Sequence, residues 1–353
     1  MARTLRLNEL ATDVYPASWY AVAPARKLPR GGIIEADVCG RTLVLFRTKR
    51  GELGAMDRYC PHMGVSLACG KVEGERIVCP FHAWEFSTSG DCTTIPYLKE
   101  GARIPPTARI PTVPVLEHLG WVWVYHGDKP SHGLPDMPEM RDPSWGVVHQ
   151  SQLFETHALH TLENGTDAEH FRHLHHVDYT KYEVEVFARE PHRLALHLDQ
   201  HLRDGTKLRT TISYVGASTI FGALYQNGKL QVRFIAAPQP QGPKRTLFHL
   251  IVATPKLPMP LRPVDGLLRR YVTQRLFKGS MDDYLLAWKD MNPSRRRVLL
   301  AEDRLQQEFR RYWLSHIEGV SGAATDATER VSKNSDGPLA PTLSREDTRT
   351  QVP

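Results

Sequence analysis

Short, largely apolar segments broken by Gly and Pro dominate the first third of the chain. The segments RTLVLFRT, ELGAMD, RIVCPFHAWEFS and WVWVYHG are rich in β-branched and aromatic residues and are separated by Gly, Pro and Asp. Such runs predict short strands. Between about Trp19 and Tyr125 we therefore expect a small all-β domain. Residues 128–146, where Pro, Asp and Ser are frequent, are predicted to form a linker on the surface.

The pattern changes after this linker. A histidine-rich stretch compatible with helix comes first, and alternating segments such as KLRTTISYV, LQVRFIAA and RTLFHLIVATP follow. The dipeptide Asn227-Gly228 between two alternating segments indicates a two-residue hairpin. From Leu267 to about Ile317 the apolar spacing becomes helical. The second domain is predicted to be an antiparallel sheet with flanking helices, so the chain as a whole belongs to the α+β class.

The length agrees with two domains and a tail. A chain of 353 residues, 41% of them hydrophobic, is long enough for two cores of ordinary size. We assign residues 1–130 to the first domain and 131–320 to the second. Residues 321–353 contain almost no large apolar side chains and are predicted to form a disordered tail.

The charge distribution and the search for targeting signals indicate which partners and which location to expect. The net charge is +6, but Lys and Arg are mixed with 39 acidic residues, and we expect no nucleic-acid partner. The N-terminus has no apolar run typical of a signal peptide, and no stretch approaches the roughly 20 residues that span a bilayer. We expect a cytoplasmic protein without an integral membrane segment. Residues 256–278 are basic and partly amphipathic; a surface helix is the favoured interpretation and contact with a membrane surface the alternative.

Two Cys–His pairs indicate a metal centre. The chain has five cysteines, and an odd number argues against a disulfide framework. Cys60 and His62 form one pair, and Cys79 and His82 form another after sixteen intervening residues. Zinc accepts the same ligands, but zinc fingers usually pair Cys with Cys and His with His. Here each pair supplies one thiolate and one imidazole, as required when one iron of a [2Fe–2S] cluster binds two thiolates and the other binds two imidazoles.

The segment CPHMGVSLACGKVEGERIVCPFHAWEFSTSGDC resembles the Rieske signature, in which Cys-x-His is followed by Cys-x-x-His. Respiratory Rieske proteins carry a disulfide where this chain has Val65 and Phe81, so the resemblance is to the oxygenase and ferredoxin branch. Trp84 is interpreted either as a shield for the cluster or as a core residue. The remaining cysteines are interpreted as buried, small apolar residues: Cys39, Cys69 and Cys92.

A second metal centre is indicated by the spacing Asp167-x-x-His170-x₄-His175. On a helix, Asp167 and His170 lie one turn apart, and a helix end or bulge can bring His175 beside His170. Two histidines and one carboxylate form a facial triad on Fe(II) that leaves positions open for O₂ and substrate. The residues alone also allow a polar surface helix. The motif, however, resembles the mononuclear iron motif of Rieske oxygenases, which ferredoxins lack.

This resemblance implies catalytic roles for Asp167 and Asn164. In the family, an Asp at this position hydrogen-bonds a ligand histidine and also reaches a cluster histidine of a neighbouring subunit. For this chain, Asp167 would join His170 to His82 of the next protomer in a homotrimer. Four other histidines nearby are interpreted as surface groups or as groups behind the ligands: His157, His160, His173 and His176.

The third iron ligand is predicted to be Asp283. In the steroid-type branch of the family, the carboxylate lies four residues before a helical Trp. Here that position holds Tyr284, so either the helix carries an extra residue before Trp288, which would let Asp283 take the position of the ligand, or the alignment slips. Asp282 is an alternative on the same grounds. Asp303 is a further alternative, because its surroundings resemble the ligand motif of demethylase-type relatives.

The segments ENGTDAEHFRHLH and WKDM…EDRLQQEFRRYW resemble the branch that contains ketosteroid hydroxylases, cholesterol desaturases and aminopyrrolnitrin oxygenase. The resemblance implies a helix-grip-like catalytic domain, a [2Fe–2S] cluster and Fe(II). It also implies O₂-dependent hydroxylation, desaturation or N-oxygenation of a bulky apolar organic molecule. Because no nicotinamide or flavin fingerprint is present, electrons are expected from a separate NAD(P)H-dependent reductase or ferredoxin. The alternative is a Rieske electron carrier whose second domain is a non-catalytic binding module.

Overall fold

The computed structural model describes residues 13–167, 169–289, 291 and 297–317. Structural statements below concern these residues. The tail predicted at 321–353 lies outside them.

The first domain consists of three small antiparallel sheets. Its strands are β1 (Ser18–Pro24), β2 (Ile33–Val38), β3 (Arg41–Arg47), β4 (Leu53–Asp57), β5 (Lys71–Glu73), β6 (Arg76–Val78), β7 (Glu85–Phe86), β8 (Cys92–Thr94), β9 (Val115–His118) and β10 (Trp121–His126). The sheet orders are β1-β10-β9, β2-β3-β4 and β5-β6-β7-β8. Ser18 pairs with His126, so the two ends of this domain lie side by side. The all-β prediction for this part of the chain is confirmed.

A single antiparallel sheet of seven strands forms the centre of the second domain. Its strands are β11 (Trp145–Phe154), β12 (Tyr179–Glu190), β13 (Arg193–Leu202), β14 (Lys207–Val215), β15 (Thr219–Gln226), β16 (Lys229–Gly242) and β17 (Arg245–Pro255). Their order is β11-β17-β16-β15-β14-β13-β12. The strands β11 and β12 follow each other in sequence but lie at opposite edges. The segment 155–178, which carries the histidine motif, therefore crosses from one edge of the sheet to the other.

The hairpin at Asn227-Gly228 has the predicted form. Gln226 pairs with Lys229, and the two residues between them have positive φ angles of 48° and 79°. A two-residue turn of this kind matches the twist of the flanking strands. Asn and Gly adopt positive φ at low cost, so the local sequence is sufficient to specify the turn.

Four helices complete the second domain: α1 (Ala158–Glu163), α2 (Glu169–His173), α3 (Arg262–Trp288) and α4 (Arg304–Leu314). Phe309 and Trp313 of α4 pack with Leu159 of α1 in the main core. The C-terminal end of α3 enters the same core through Tyr284 and Trp288. The α+β prediction is confirmed. Among the described residues, no helix combines the length and the apolar character needed to cross a membrane.

The two domains share a buried interface. A single apolar cluster combines residues of both domains: Trp19, Trp121, Trp123, Phe221, Ile235 and Ile251. The N–H of Cys39 also donates to the Pro240 carbonyl over 2.7 Å. Met137 lies in the segment that was predicted as a surface linker, yet it is buried in this cluster. The linker is therefore packed in part, because Met137 reaches an apolar surface shared by both domains.

Candidate cluster and iron sites

The two Cys–His pairs lie on loops with the same backbone pattern. In each loop the cysteine N–H donates to the carbonyl five residues later, and the N–H four residues later donates back to the cysteine carbonyl, over 2.8 to 3.1 Å. Gly64 and Ala83 occupy equivalent positions in these loops, with positive φ angles of 71° and 53°. The repeated turn presents both Cys–His pairs in the same way.

These loops turn the thiols inward and the imidazoles outward. Cys60 and Cys79 are 2% and 4% exposed, and the ring centroids of His62 and His82 are 4.8 Å apart. Burial raises the pKa of the Cys60 thiol to about 11, and neighbouring Cys79 adds to the rise. His82 Nδ1 is buried without a hydrogen-bond partner among the described residues. A metal ion would give this nitrogen a partner and would take up the buried thiols as thiolates, so the four residues fit a [2Fe–2S] cluster.

Trp84 packs directly against one of these imidazoles. Its ring stacks on His62 with centroids 4.7 Å apart and an interplanar angle of 6°, and its Nε1 donates to the Tyr97 hydroxyl over 2.8 Å. Trp84 also packs against an apolar core of the first domain, so its contacts are compatible with both interpretations, a shield and a core residue. Burial was predicted for the other cysteines, and Cys39 is buried.

The prediction is wrong for Cys69, which is exposed. Cys69 ends a single 3₁₀ turn in which Leu67 takes the buried position. Cys92 is partly buried.

The predicted helix of the iron motif is interrupted. After α1, a 3₁₀ turn spans Asn164–Thr166, and Asp167 is extended with φ −100° and ψ 112°. The Asp167 carboxylate accepts the His170 N–H over 3.3 Å. Asp167 and His170 were predicted to lie on one helix, and this prediction is wrong, because Asp167 precedes α2 in an extended conformation. Aspartate side chains compete with helical hydrogen bonds in this way and favour positions just before a helix.

His170 and His175 lie side by side, as the spacing predicted. Their ring centroids are 5.4 Å apart and the rings are nearly perpendicular, at 75°. The N–H groups of Leu174 and His175 both donate to the His170 carbonyl, over 2.7 and 3.2 Å, and this turn folds His175 back. His170 Nδ1 lies against the main-chain carbonyl of Asp167. The carbonyl, rather than the expected carboxylate, thus accepts from the imidazole and leaves Nε2 as the ring's free lone pair.

Asp283 reaches these histidines from α3. Its Oδ2 lies 3.0 Å from His175 Nδ1. The described backbone of α3 is α-helical from Arg262 to Trp288, so the contact forms without the predicted extra residue. Asp282 is exposed. Asp303 lies before α4, where its carboxylate accepts the Leu300 N–H over 2.8 Å.

Tyr284 is a site residue that the sequence analysis did not identify. Its hydroxyl lies 3.2 Å from His170 Nε2 and accepts from Asn164 Nδ2 over 2.6 Å. Burial raises the pKa of Tyr284, so the hydroxyl stays protonated and can donate to the imidazole. Its ring stacks on Trp288 with centroids 4.5 Å apart. The available signal was its position, four residues before Trp288, where the family carries its ligand.

A buried ion pair lies directly behind this motif. Glu163 contacts Arg310 Nε, Arg297 at 3.3 Å and His160 Nδ1 at 3.3 Å. Burial by itself raises the pKa of Glu163, but the hydrogen bond from His160 and the charge of Arg310 outweigh it and lower the pKa to about 2. Glu163 could not be predicted from its neighbours in the sequence, because nothing local shows that a glutamate next to Asn164 will be buried.

The other histidines of the stretch divide into two groups. His157 and His160 are 2% and 3% exposed, so their interpretation as surface groups is wrong. Both lie where α1 packs against α4, and the His157 ring is 6.0 Å from Trp313. His173 and His176 are exposed, as predicted.

The donor chemistry of the second site fits iron. In the part of the chain that the structure describes, no three His, Cys, Asp or Glu side chains already converge on one metal position. Two imidazoles and a carboxylate are nevertheless adjacent, which is the donor set of non-haem Fe(II) sites. The hydrogen bonds from His175 to Asp283 and from Tyr284 to His170 are the contacts that a metal ion would replace.

Comparison with known proteins identifies both domains. Residues 18–114 match the family model of the Rieske [2Fe-2S] domain. Residues 122–316, more than half of the chain, match the 3-ketosteroid 9alpha-hydroxylase C-terminal domain.

Individual relatives agree with these matches. The chain is 31% identical over 230 residues to a probable 3-ketosteroid-9-alpha-monooxygenase oxygenase component from Rhodococcus rhodochrous, covering 61% of this chain and 57% of that protein. It is 33% identical over 184 residues to aminopyrrolnitrin oxygenase PrnD from Pseudomonas fluorescens, covering 50% of each. The alignments thus span about half the length of these two relatives.

Solved structures show the same fold. The crystal structure of dicamba monooxygenase bound to dicamba superposes with a TM-score of 0.67 at 19% identity, covering 84% of this chain and 95% of that one. At this identity the likeness concerns the fold alone. The two family-model matches identify the protein family. The cofactors of this family are a [2Fe–2S] cluster and Fe(II). The chain therefore belongs to the Rieske oxygenases, with a catalytic domain of the 3-ketosteroid 9α-hydroxylase type.

Proposed function

We propose that this protein is a terminal oxygenase that uses a Rieske cluster and a mononuclear Fe(II) to oxidise a bulky apolar organic substrate with O₂. The observation that supports this proposal is the contact of Asp283, on α3, with His175, whose ring lies beside that of His170. Cys60, His62, Cys79 and His82 would hold the cluster.

Each neighbouring side chain has a role in preparing the second site. When bound, the two cofactors supply electrons and the activation of O₂. The Asp167 carbonyl holds the tautomer of His170 so that Nε2 faces the site. Asn164 orients the Tyr284 hydroxyl, which is a hydrogen-bond donor next to the reacting position. Tyr284 and Trp288 stack beneath the site and exclude water from that side.

An apolar substrate suits the surroundings of the histidines. Phe171 lies 6.1 Å from His175, measured between ring centroids. Further partly buried apolar side chains pack against the main core of the second domain: Leu174, Tyr182, Val184, Val186, Phe234 and Leu250. Pockets lined mainly by such residues bind apolar molecules, and a few polar groups orient them. Hydroxylation, desaturation and N-oxygenation all remain within this chemistry.

Electron delivery is proposed to involve other chains. A separate reductase or ferredoxin would reduce the cluster in the cytoplasm. The imidazole side of the cluster site has an exposed apolar surface formed by Tyr59, Met63, Phe81 and Tyr97, which are 57% to 63% exposed. Such a surface suits docking against a neighbouring protein. In a homotrimer, Asp167 of one protomer would meet His82 of the next.

Iron content distinguishes this proposal from a Rieske carrier with a non-catalytic second domain. Purified protein should contain about three irons per chain if both sites fill, and about two if only the cluster does. Asp283→Ala should lose the mononuclear iron and keep the cluster signal in electron paramagnetic resonance. Asp303→Ala is the matched control and should keep both. Two irons per chain under iron-replete conditions, without turnover of any sterol or aromatic compound, would support the carrier. Iron loss only in Asp303→Ala would overturn the assignment of Asp283.

A further inference from the structure

The first half of α3 directs its apolar side chains into solvent. Five of them are 43% to 77% exposed: Val264, Leu267, Leu268, Tyr271 and Val272. Their spacing of three and four residues places them in one stripe along the helix. Met259 and Leu261, 71% and 53% exposed, lie just before the helix and extend the apolar surface.

A polar side of this helix, next to the stripe, holds it to the protein. Asp265 and Arg269 form an ion pair of 2.6 Å whose side chains are only 7% and 8% exposed. Arg269 also donates to the carbonyls of Thr254 and Pro255, over 2.9 and 3.1 Å. A helix on the surface of a soluble protein normally buries its apolar stripe and exposes its charges. This half of α3 has the reverse arrangement, so its stripe does not contribute to the core.

The exposed charges of residues 256–278 are all positive. Arg262, Arg270, Arg275 and Lys278 are exposed, and the one acidic residue among 256–278 is the buried Asp265. Arg275 and Lys278 follow Val264 and Tyr271 by eleven and seven residues, a spacing that keeps them on the same side of the helix as the stripe. An outward apolar stripe with cations on its own face complements an anionic lipid surface, where the stripe enters the headgroup layer and the cations meet phosphates.

We propose that residues 259–278 attach this protein to the surface of an anionic lipid bilayer. The attachment is independent of the proposed oxygenase function, since it requires neither iron nor cluster. It does place the site close to the bilayer, because Asp283 and Tyr284 lie on the same helix, one to two turns beyond Lys278. An apolar substrate dissolved in the membrane would then reach the histidines without crossing water.

Vesicle sedimentation tests the proposal with the full chain carrying its cofactors. The wild-type protein should sediment with vesicles of phosphatidylglycerol and phosphatidylcholine, and binding should weaken with salt and with phosphatidylcholine alone. The double variant Arg270→Gln/Arg275→Gln should bind roughly tenfold or more weakly, since each cation near an anionic surface strengthens binding severalfold. The matched control is Lys244→Gln/Arg245→Gln, which removes the same charge from the exposed β16–β17 turn and should bind like the wild type.

A second variant tests the apolar stripe. Leu267→Ser/Tyr271→Ser should also lose vesicle binding while keeping the far-ultraviolet circular dichroism and cluster absorption of the wild type. The proposal is overturned if wild-type protein does not bind anionic vesicles, or if both pairs of α3 substitutions leave binding unchanged. It is also overturned if the wild-type protein does not bind vesicles and Leu267→Ser/Tyr271→Ser dissociates an oligomer on size exclusion. The stripe is then an interface between copies of the chain.

Discussion

Replacing Glu163 with Gln tests how strongly the buried ion pair supports the iron motif. Glu163 is 7% exposed and Arg310 is 1% exposed, so Glu163→Gln leaves a buried guanidinium facing a neutral amide. Removing one partner of a buried pair costs about 3–5 kcal/mol. The pKa of Glu163, lowered from an ordinary 4.5 to about 2, independently corresponds to about 3 kcal/mol. We therefore expect Glu163→Gln to lower the free energy of unfolding by about 3 kcal/mol.

Thermal and urea denaturation, followed by circular dichroism, measure this loss. A domain of the size assigned to residues 131–320 should lose roughly 2–4 °C of Tm per kcal/mol, which gives a decrease of about 6–12 °C. Glu308→Gln is the matched control, because Glu308 lies on α4, the helix that carries Arg310. Glu308 pairs with Arg189 at 2.5 Å, but the Arg189 side chain is 58% exposed, and exposed pairs are worth about 1 kcal/mol or less. If both variants lose the same small amount of stability, the buried pair of Glu163 and Arg310 does not stabilise the fold more than an exposed pair does.

The pH dependence gives a second check with a defined sign. The folded pKa of Glu163 lies below its ordinary value, so its contribution is complete above about pH 4.5 and is lost as the pH falls towards 2. Glutamine imitates the protonated glutamate. The stability difference between wild type and Glu163→Gln should therefore be constant near neutral pH and shrink in acid. A difference that grows as the pH falls below 4.5 would contradict the ion-pair explanation.

Three further variants test the proposed sites. His82→Cys should keep the cluster but lower its reduction potential, because a thiolate adds negative charge; a redox titration monitored by electron paramagnetic resonance would show this. Asp167→Ala should retain the cluster and most of the iron yet lose nearly all turnover, and full activity would argue against the bridge between protomers. Tyr284→Phe should bind iron normally and turn over roughly fivefold to tenfold more slowly, because Asn164 loses its hydrogen-bond partner and the site loses a hydroxyl donor, an interaction worth about 1 kcal/mol.

Local chemistry explains what the sequence alone could predict. The two Cys–His loops are each set by a single turn, and the hairpin at Asn227-Gly228 depends on two residues. His170 and His175 are close because the end of α2 folds one beside the other within a few residues. The strands and the late helices follow from periodicity. In all of these cases the residues that define the feature are neighbours in the chain, so their pattern carries the necessary information.

The tertiary structure decided the features that depend on where distant elements pack. Asp283 and His175 are 108 residues apart, and the sequence left Asp303 as a rival because the position of α3 against the crossover segment is not a local property. Burial of Glu163 likewise depends on Arg310, 147 residues away. The stripe on α3 has the same periodicity whether it faces the core or solvent. Only packing determines which, because periodicity specifies that a helix has an apolar face but not what that face contacts.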